Sequence, residues 1–258
     1  MEDLKVTLVQ TPLHWESVEK NISMFDELLN SVKEKSDLIV IPEMFSTGFT
    51  MNTAVAETLN GKSITWLKEK AKEKDCVITG SLMITENGKN YNRLIWMQPD
   101  GNFLTYDKRH LFRIANEQNH FTAGKKKLIA ILKGWKICPL ICYDLRFPVW
   151  SRNINLEYDV LIYVANWPAR RSLAWNTLIP ARAIENQSYS VAVNRIAADG
   201  YGVDYSGDTV AYNPLGEKLS TLQPNENRHE TIILSWKFLQ EYREKFPAAM
   251  DADFFELK

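Results

Sequence analysis

The opening of the chain imposes the strongest constraint on its fold. "LKVTLVQ" alternates in the manner of a strand, "ESVEKNISMFDELLNSVKEK" spaces Val18, Ile22, Phe25, Leu28, Leu29 and Val32 along one helical face, and "DLIVIPE" is a short, wholly apolar strand. Strand, helix and strand in succession make a β-α-β unit. Its two strands pair in parallel, because a long helical crossover returns the chain to the end from which it started.

Hairpins follow. A second helix in "SITWLKEKAKEK" leads to the strand "CVITGSLMI", and "NYNRLIWMQPDGNFLTYDK" reads as a hairpin turning at Pro99, Asp100 and Gly101. "KKLIAILKGWKICPLIC" is another, turning near Gly134; Pro148 suits the first turn of a helix. "DVLIYVAN" is a buried strand, "LAWNTLIPARAIENQ" a helix, "YSVAVNRIA" a strand and "GDTVAYNPLGEKLSTL" a third hairpin. Strands outnumber helices, and the mixture of β-α-β units with hairpins predicts an α/β fold of two packed mixed β-sheets with helices on their outer faces. No repeat, low-complexity tract or long linker interrupts the chain, so residues 1–258 read as a single domain.

At 258 residues, 45% hydrophobic and 24% charged, the chain has the composition of an ordinary soluble protein with room for a substantial core. A formal net charge of −1 supplies no electrostatic footprint for nucleic acid or an anionic membrane. "MEDLKVTLVQ" has neither the basic region nor the apolar stretch of a secretory signal, and no apolar run reaches membrane-spanning length, which predicts a cytoplasmic location. Cys76, Cys138 and Cys142 are too few and too uneven for a disulfide framework. On one strand Cys138 and Cys142 stand about 13 Å apart, too far to share a zinc ion, so no metal is expected.

Three polar residues stand where a buried apolar strand stops: Glu43 after "LIVIP", Cys142 after "CPLI" and Asn166 after "LIYVA". Lys108 ends the strand-like "NFLTYDK" and joins them. In α/β sheets ligands bind beyond the carboxyl ends of strands, so these side chains are candidates for one shared site. Each alone has a plainer explanation: a capping carboxylate, a surface charge, a core thiol. As a nucleophile, Cys142 needs a base or a neighbouring positive charge; Glu43 and Lys108 supply these, and a helix beginning near Pro148 would favour the thiolate. His110, two residues beyond Lys108, keeps a cysteine-histidine pair open as an alternative.

"IPEMFSTGF", "YDKRHLF" and "ICYDLRFP" resemble, in order and approximate spacing, the three signature segments of the nitrilase superfamily of carbon-nitrogen hydrolases, and "NWP", "ARAIENQ" and "VAVNR" extend the resemblance along nearly the whole chain. It implies a four-layer α-β-β-α sandwich that dimerises, and a Glu-Lys-Cys triad of Glu43, Lys108 and Cys142. It further implies a supporting carboxylate, Glu117 in "ANEQNHFTAG", and a structural role for His110. "MFSTGF", "HLFRIANEQNH" and "NWPARRSLAW" are most similar to the bacterial omega-amidase type, which implies hydrolysis of the terminal amide of 2-oxoglutaramate or 2-oxosuccinamate through a cysteine thioester, without metal or organic cofactor.

On that scheme the oxyanion is received by the Lys108 ammonium and the backbone N–H of Tyr143. A keto-acid amide also carries a carboxylate, for which Arg170, Arg171 and Arg195 are candidates; Arg171 is preferred because it follows the strand end at Asn166. Phe45 and Trp167 are expected to wall the pocket, with Phe49 and Trp175 as further candidates, and Arg146 is expected to pair with a nearby carboxylate. Rival readings are another nitrilase-superfamily reaction on the same triad, such as nitrile or N-carbamoyl hydrolysis, and a catalytically silent binding module.

Overall fold

A computed structural model describes residues 1–253, 255 and 256. Strand β1 (Leu4–Gln10), helix α1 (Val18–Ser31) and strand β2 (Leu38–Val40) form the β-α-β unit, with β2 parallel to β1 in the register Val6 to Leu38. Helix α2 (Lys62–Lys74) carries the chain to β3 (Val77–Glu86), parallel to β2, and a turn at Asn87 and Gly88 returns it antiparallel along β4 (Lys89–Met97). β5 (Phe103–Asp107) completes the expected hairpin over Pro99 to Gly101.

Period-two alternation explains how this sheet is covered. Leu4, Val6, Leu8, Leu38, Val40, Leu94 and Trp96 belong to a large core shared with the second sheet; Val9, Ile39, Ile41, Ile78, Ile95 and Met97, on the other face, pack with Phe25 and Leu29 of α1 and Leu67 and Ala71 of α2. Fully burying one such aliphatic side chain is worth roughly 1.5–3 kcal/mol, so both interfaces stabilise the sheet.

The second sheet contains β6 (Ala130–Leu132), β7 (Trp135–Ile141), β8 (Val160–Ala165), β9 (Tyr189–Asn194) and β10 (Val210–Tyr212) in the order β10-β9-β8-β7-β6. β7, β8 and β9 are parallel, and every residue of β8 is buried. Helix α4 (Ser172–Asn186) contributes Trp175 and Ile179 to the same core. The architecture is α-β-β-α with two mixed sheets, as the sequence predicts.

Three local expectations need correction. The helix at Pro148 is a single turn, α3 (Pro148–Ser151), after which Arg152 is extended, so it offers the sulfur no appreciable dipole. The third hairpin keeps one strand, β10: its return arm makes an isolated bridge from Tyr212 to Lys218, beyond which the Ser220 hydroxyl takes the Ala211 N–H and the Glu230 carboxylate takes the N–H groups of Thr221 and Leu222. Finally, β11 (Arg228–Leu234) and helix α5 (Trp236–Lys245) were not anticipated; β11 pairs antiparallel to β1 and makes the first sheet six-stranded, β11-β1-β2-β3-β4-β5.

The end of β5 is fixed by close backbone approach. Lys108 donates its N–H to the Asn92 carbonyl at 2.9 Å and accepts one from Gly124 at 2.9 Å, and a Cβ on Gly124 would lie 2.0 Å from the Asp107 carbonyl oxygen. Gly124→Ala is therefore expected to push the Lys108 segment out of place, lowering stability by roughly 1–3 kcal/mol in urea denaturation and reducing activity in the protein that remains folded. Wild-type behaviour in both assays would contradict this.

Candidate active site

The carboxyl ends of β2, β5, β7 and β8 converge, and four side chains meet there. Beyond β2, Ile41 continues the sheet by donating to Thr79; Met44 then adopts a left-handed conformation (φ 44°), with its N–H bonded to Ser81 Oγ at 2.9 Å. Glu43 is thus held inward between a strand end and a fixed turn. Cys142, the first residue after β7, is itself left-handed (φ 43°), a conformation that costs a non-glycine residue energy and persists only where its surroundings enforce it. The enforcing group is Asp144. One of its oxygens accepts from the Ile141 N–H (3.1 Å) and the Tyr106 hydroxyl (2.7 Å), the other from the His110 backbone N–H (3.0 Å), and the His110 ring lies 2.7 Å from it. His110 stacks on Phe147 and braces the turn that carries the cysteine.

The Lys108 ammonium lies 2.8 Å from Glu43 Oε1 and 3.0 Å from Glu117 Oε2. All three side chains are 0% exposed. Asn92 Nδ2 donates to both carboxylates, at 2.8 Å to Glu43 and 3.2 Å to Glu117, while the Phe112 N–H donates to Glu117 Oε2 at 2.6 Å and the Asn166 N–H to Glu43 Oε2 at 2.8 Å. Burial alone would discharge the lysine, but the fields of Glu117 and Glu43 outweigh it and raise its pKa, so the ammonium stays charged. Burial raises the pKa of Glu117 against the opposing pull of Lys108, with Glu43 pushing it further up. Burial, then the Glu43 carboxylate, push the Cys142 thiol well above its ordinary value despite Lys108 nearby. The resting sulfur is a thiol, and its reaction requires a base in the same step.

Cys142 and Lys108 form the base of a cavity of about 260 Å³, with Tyr143, Asn166, Trp167 and Phe49 among its walls. Trp167 is fixed by its N–H to Asn194 Oδ1 (2.8 Å) and by its indole N–H to the Arg171 carbonyl (2.9 Å). Phe45 is not at the wall. It is fully buried on the helix side of the first sheet, edge-on to Phe25 at 5.5 Å, because the turn at Met44 sends it into the core and brings Phe49 to the cavity, 5.1 Å from the Lys108 ammonium. Trp175 is likewise core.

Arg146, Arg170 and Arg171 line the cavity. Among the described residues the arginines in ion pairs are Arg93, Arg182, Arg228 and Arg243, so Arg146 has no carboxylate partner; its guanidinium lies 5.0 Å from the Trp167 ring. Arg171 Nη1 is buried without a hydrogen-bond partner, and burial, then Arg170 and Arg146, lower its pKa. Arg195 lies elsewhere: fully buried, it bonds the carbonyls of Leu13, Ile196 and Ala198 and ties together the loops behind the cavity. Among the described residues no three His, Cys, Asp or Glu side chains are grouped to hold a metal.

Sequence reasoning missed Asn92 and Asn194. The signal for Asn92 was present: with Leu94 and Trp96 it shares the inter-sheet face of β4, where a polar side chain breaks the pattern and must have a partner.

A thiol beside a buried carboxylate-ammonium-carboxylate cluster, at the base of a pocket between two mixed sheets, defines a site equipped for acyl transfer. Residues 5–239 match the family model for carbon-nitrogen hydrolases, and the chain belongs to that family, whose members are hydrolases of carbon-nitrogen bonds. It is 46% identical to omega-amidase YafV of Escherichia coli (strain K12) over the full length of both, and 30% identical to 2-oxoglutaramate amidase of Bacillus subtilis (strain 168) over 95% of this chain and 96% of that one. The crystal structure of XC1258 from Xanthomonas campestris, a CN-hydrolase superfamily protein with an arsenic adduct in its active site, superposes with a TM-score of 0.97 over 100% of both chains at 39% identity.

Removing the ammonium should expose the electrostatics directly. In Lys108→Met two buried carboxylates lose their counter-charge, at a cost of roughly 3–5 kcal/mol near neutral pH. Glu117, already raised in the native protein, is driven higher. A raised carboxyl contributes stability below the ordinary glutamate range, about 4.3, and loses it as pH climbs through the raised value. The deficit relative to the native protein should be smaller at pH 5 than at pH 8 in urea denaturation, and a pH-independent deficit would refute this description of the cluster.

Proposed function

We propose that the chain is an omega-amidase that hydrolyses the terminal amide of 2-oxoglutaramate or 2-oxosuccinamate to the dicarboxylate and ammonia through a thioester at Cys142. The observation that carries the chemistry is the wholly buried Glu43-Lys108-Glu117 cluster adjoining a protonated thiol. The names of the relatives similar over their full length support the choice of substrate. So does the wall of guanidiniums without carboxylate partners, which suits an anionic substrate.

Glu43 takes the Cys142 proton as sulfur attacks the amide carbon. The oxyanion forms against the Lys108 ammonium and the Tyr143 backbone N–H. Glu43 returns the proton to nitrogen, the C–N bond breaks and ammonia leaves. Water then attacks the thioester with Glu43 again as base and Glu117 orienting the water, which releases the acid and restores the thiol. Arg171, with an unpartnered buried Nη1, receives the substrate carboxylate, and Phe49, rather than the Phe45 expected at first, joins Trp167 in excluding water. No metal or organic cofactor takes part. The enzyme works in the cytoplasm as a single-domain homodimer, the exposed Leu173 and Ile184 of α4 offering apolar surface for a second copy.

Ammonia release from 2-oxoglutaramate should far exceed that from glutamine, and Cys142→Ala should abolish both without unfolding the protein; residual turnover in that variant would end the scheme. Arg171→Ala is expected to raise KM for 2-oxoglutaramate tenfold or more while barely changing that for a neutral aliphatic amide. An equal rise for both would remove Arg171 from the carboxylate site.

A further inference from the structure

Asn166 carries an acceptor that the native contacts leave unused. The residue is 4% exposed and lines the cavity beside Cys142, whose Sγ lies 3.8 Å from the Asn166 backbone carbonyl. Its Nδ2 donates to the Glu43 carbonyl at 2.6 Å, and its backbone N–H to Glu43 Oε2 at 2.8 Å. The first contact fixes the orientation of the amide: a flipped side chain would set two carbonyl oxygens against each other. Oδ1 is therefore the remaining polar atom, and it is buried with no hydrogen-bond partner. A buried acceptor left unpaired carries a desolvation cost and calls for an explanation, which a donor on a bound substrate would supply here. Its low exposure does not set it apart from the reacting groups, since Lys108 is 0% exposed and also lines the cavity.

We propose that Asn166 Oδ1 accepts an N–H of the scissile carboxamide and makes Asn166 a catalytic residue that selects amides over the corresponding esters and acids. This rests on the amidase reading above and adds a contact to it. A primary amide has two N–H donors and one carbonyl acceptor. The carbonyl oxygen faces the Lys108 ammonium and the Tyr143 N–H, and one N–H now faces Asn166 Oδ1. When the C–N bond breaks, nitrogen takes the proton that Glu43 received from Cys142 and departs as ammonia, with an N–H still directed at Asn166. A product carboxylate has no N–H and turns an oxygen toward Oδ1, so the same atom favours its release.

The assignment separates from a role in merely holding Glu43. Asn166→Ala and Asn166→Ser are compared with native enzyme on glutaramate and on monomethyl glutarate, which differ at the scissile group in having N–H donors or none. The expected result is a loss of kcat/KM roughly tenfold larger for the amide than for the ester, the worth of one hydrogen bond left unmade. Equal losses would overturn the inference and leave Asn166 a support for Glu43. Should neither variant fold, calorimetric titration of Cys142→Ala, with Asn166 intact, provides the second reading: glutaramate binding about tenfold tighter than monomethyl glutarate supports the contact, and equal affinity removes it. Failure of the native enzyme to release ammonia from either glutaramate or 2-oxoglutaramate would instead overturn the amidase reading, and this contact with it.

Discussion

An ammonium sealed from water between two equally sealed carboxylates is the interaction on which the rest of the site depends. One positive charge does not neutralise two negative ones, and in a medium of low dielectric the surplus must be spread over fixed dipoles. Three neutral donors meet that need. Asn92 reaches both carboxylates, the Phe112 N–H reaches Glu117 and the Asn166 N–H reaches Glu43. These donors come from β4, the loop after β5 and the end of β8, so the cluster is assembled only when both sheets and the loop are in place. Folding and preorganisation of the chemistry are thereby one event.

The same cluster explains the state of the sulfur. Burial first, then the Glu43 carboxylate, with Glu117 adding to it, outweigh the Lys108 ammonium and keep the proton on Cys142. A cysteine-histidine pair would instead draw on an imidazole, but His110 is engaged with Asp144 and Phe147 and serves the geometry of the turn. On the proposed scheme the thiol stays protonated at rest until a carbonyl carbon arrives where Glu43 can take the proton in the same step.

Much of this was legible because the candidate site residues close apolar strands. Glu43, Cys142 and Asn166 each follow a run whose burial is obvious from composition, and parallel strands bring their carboxyl ends to one side of the sheet. Glu117 had no such signal: it lies in a short 3-10 turn after the left-handed Asn116, outside any periodic element, and only the family resemblance pointed to it. Phe45 and Phe49 are four residues apart, and the choice between core and cavity turns on the backbone at Met44 and Gly48 (φ 44° and 72°), which no pattern of hydrophobicity encodes. β11 and α5 were invisible for a related reason, since β11 is half exposed at a sheet edge and lacks the apolar run that marks a central strand.

The decisive measurement concerns the covalent intermediate. Enzyme mixed with 2-oxoglutaramate, quenched in acid within a turnover and digested, should yield by mass spectrometry an acyl group on the peptide that contains Cys142, absent when Glu43 is replaced by Gln. A rapidly turning-over enzyme whose Cys142 peptide is never acylated, or an acyl group on a different side chain, would contradict the scheme at its centre.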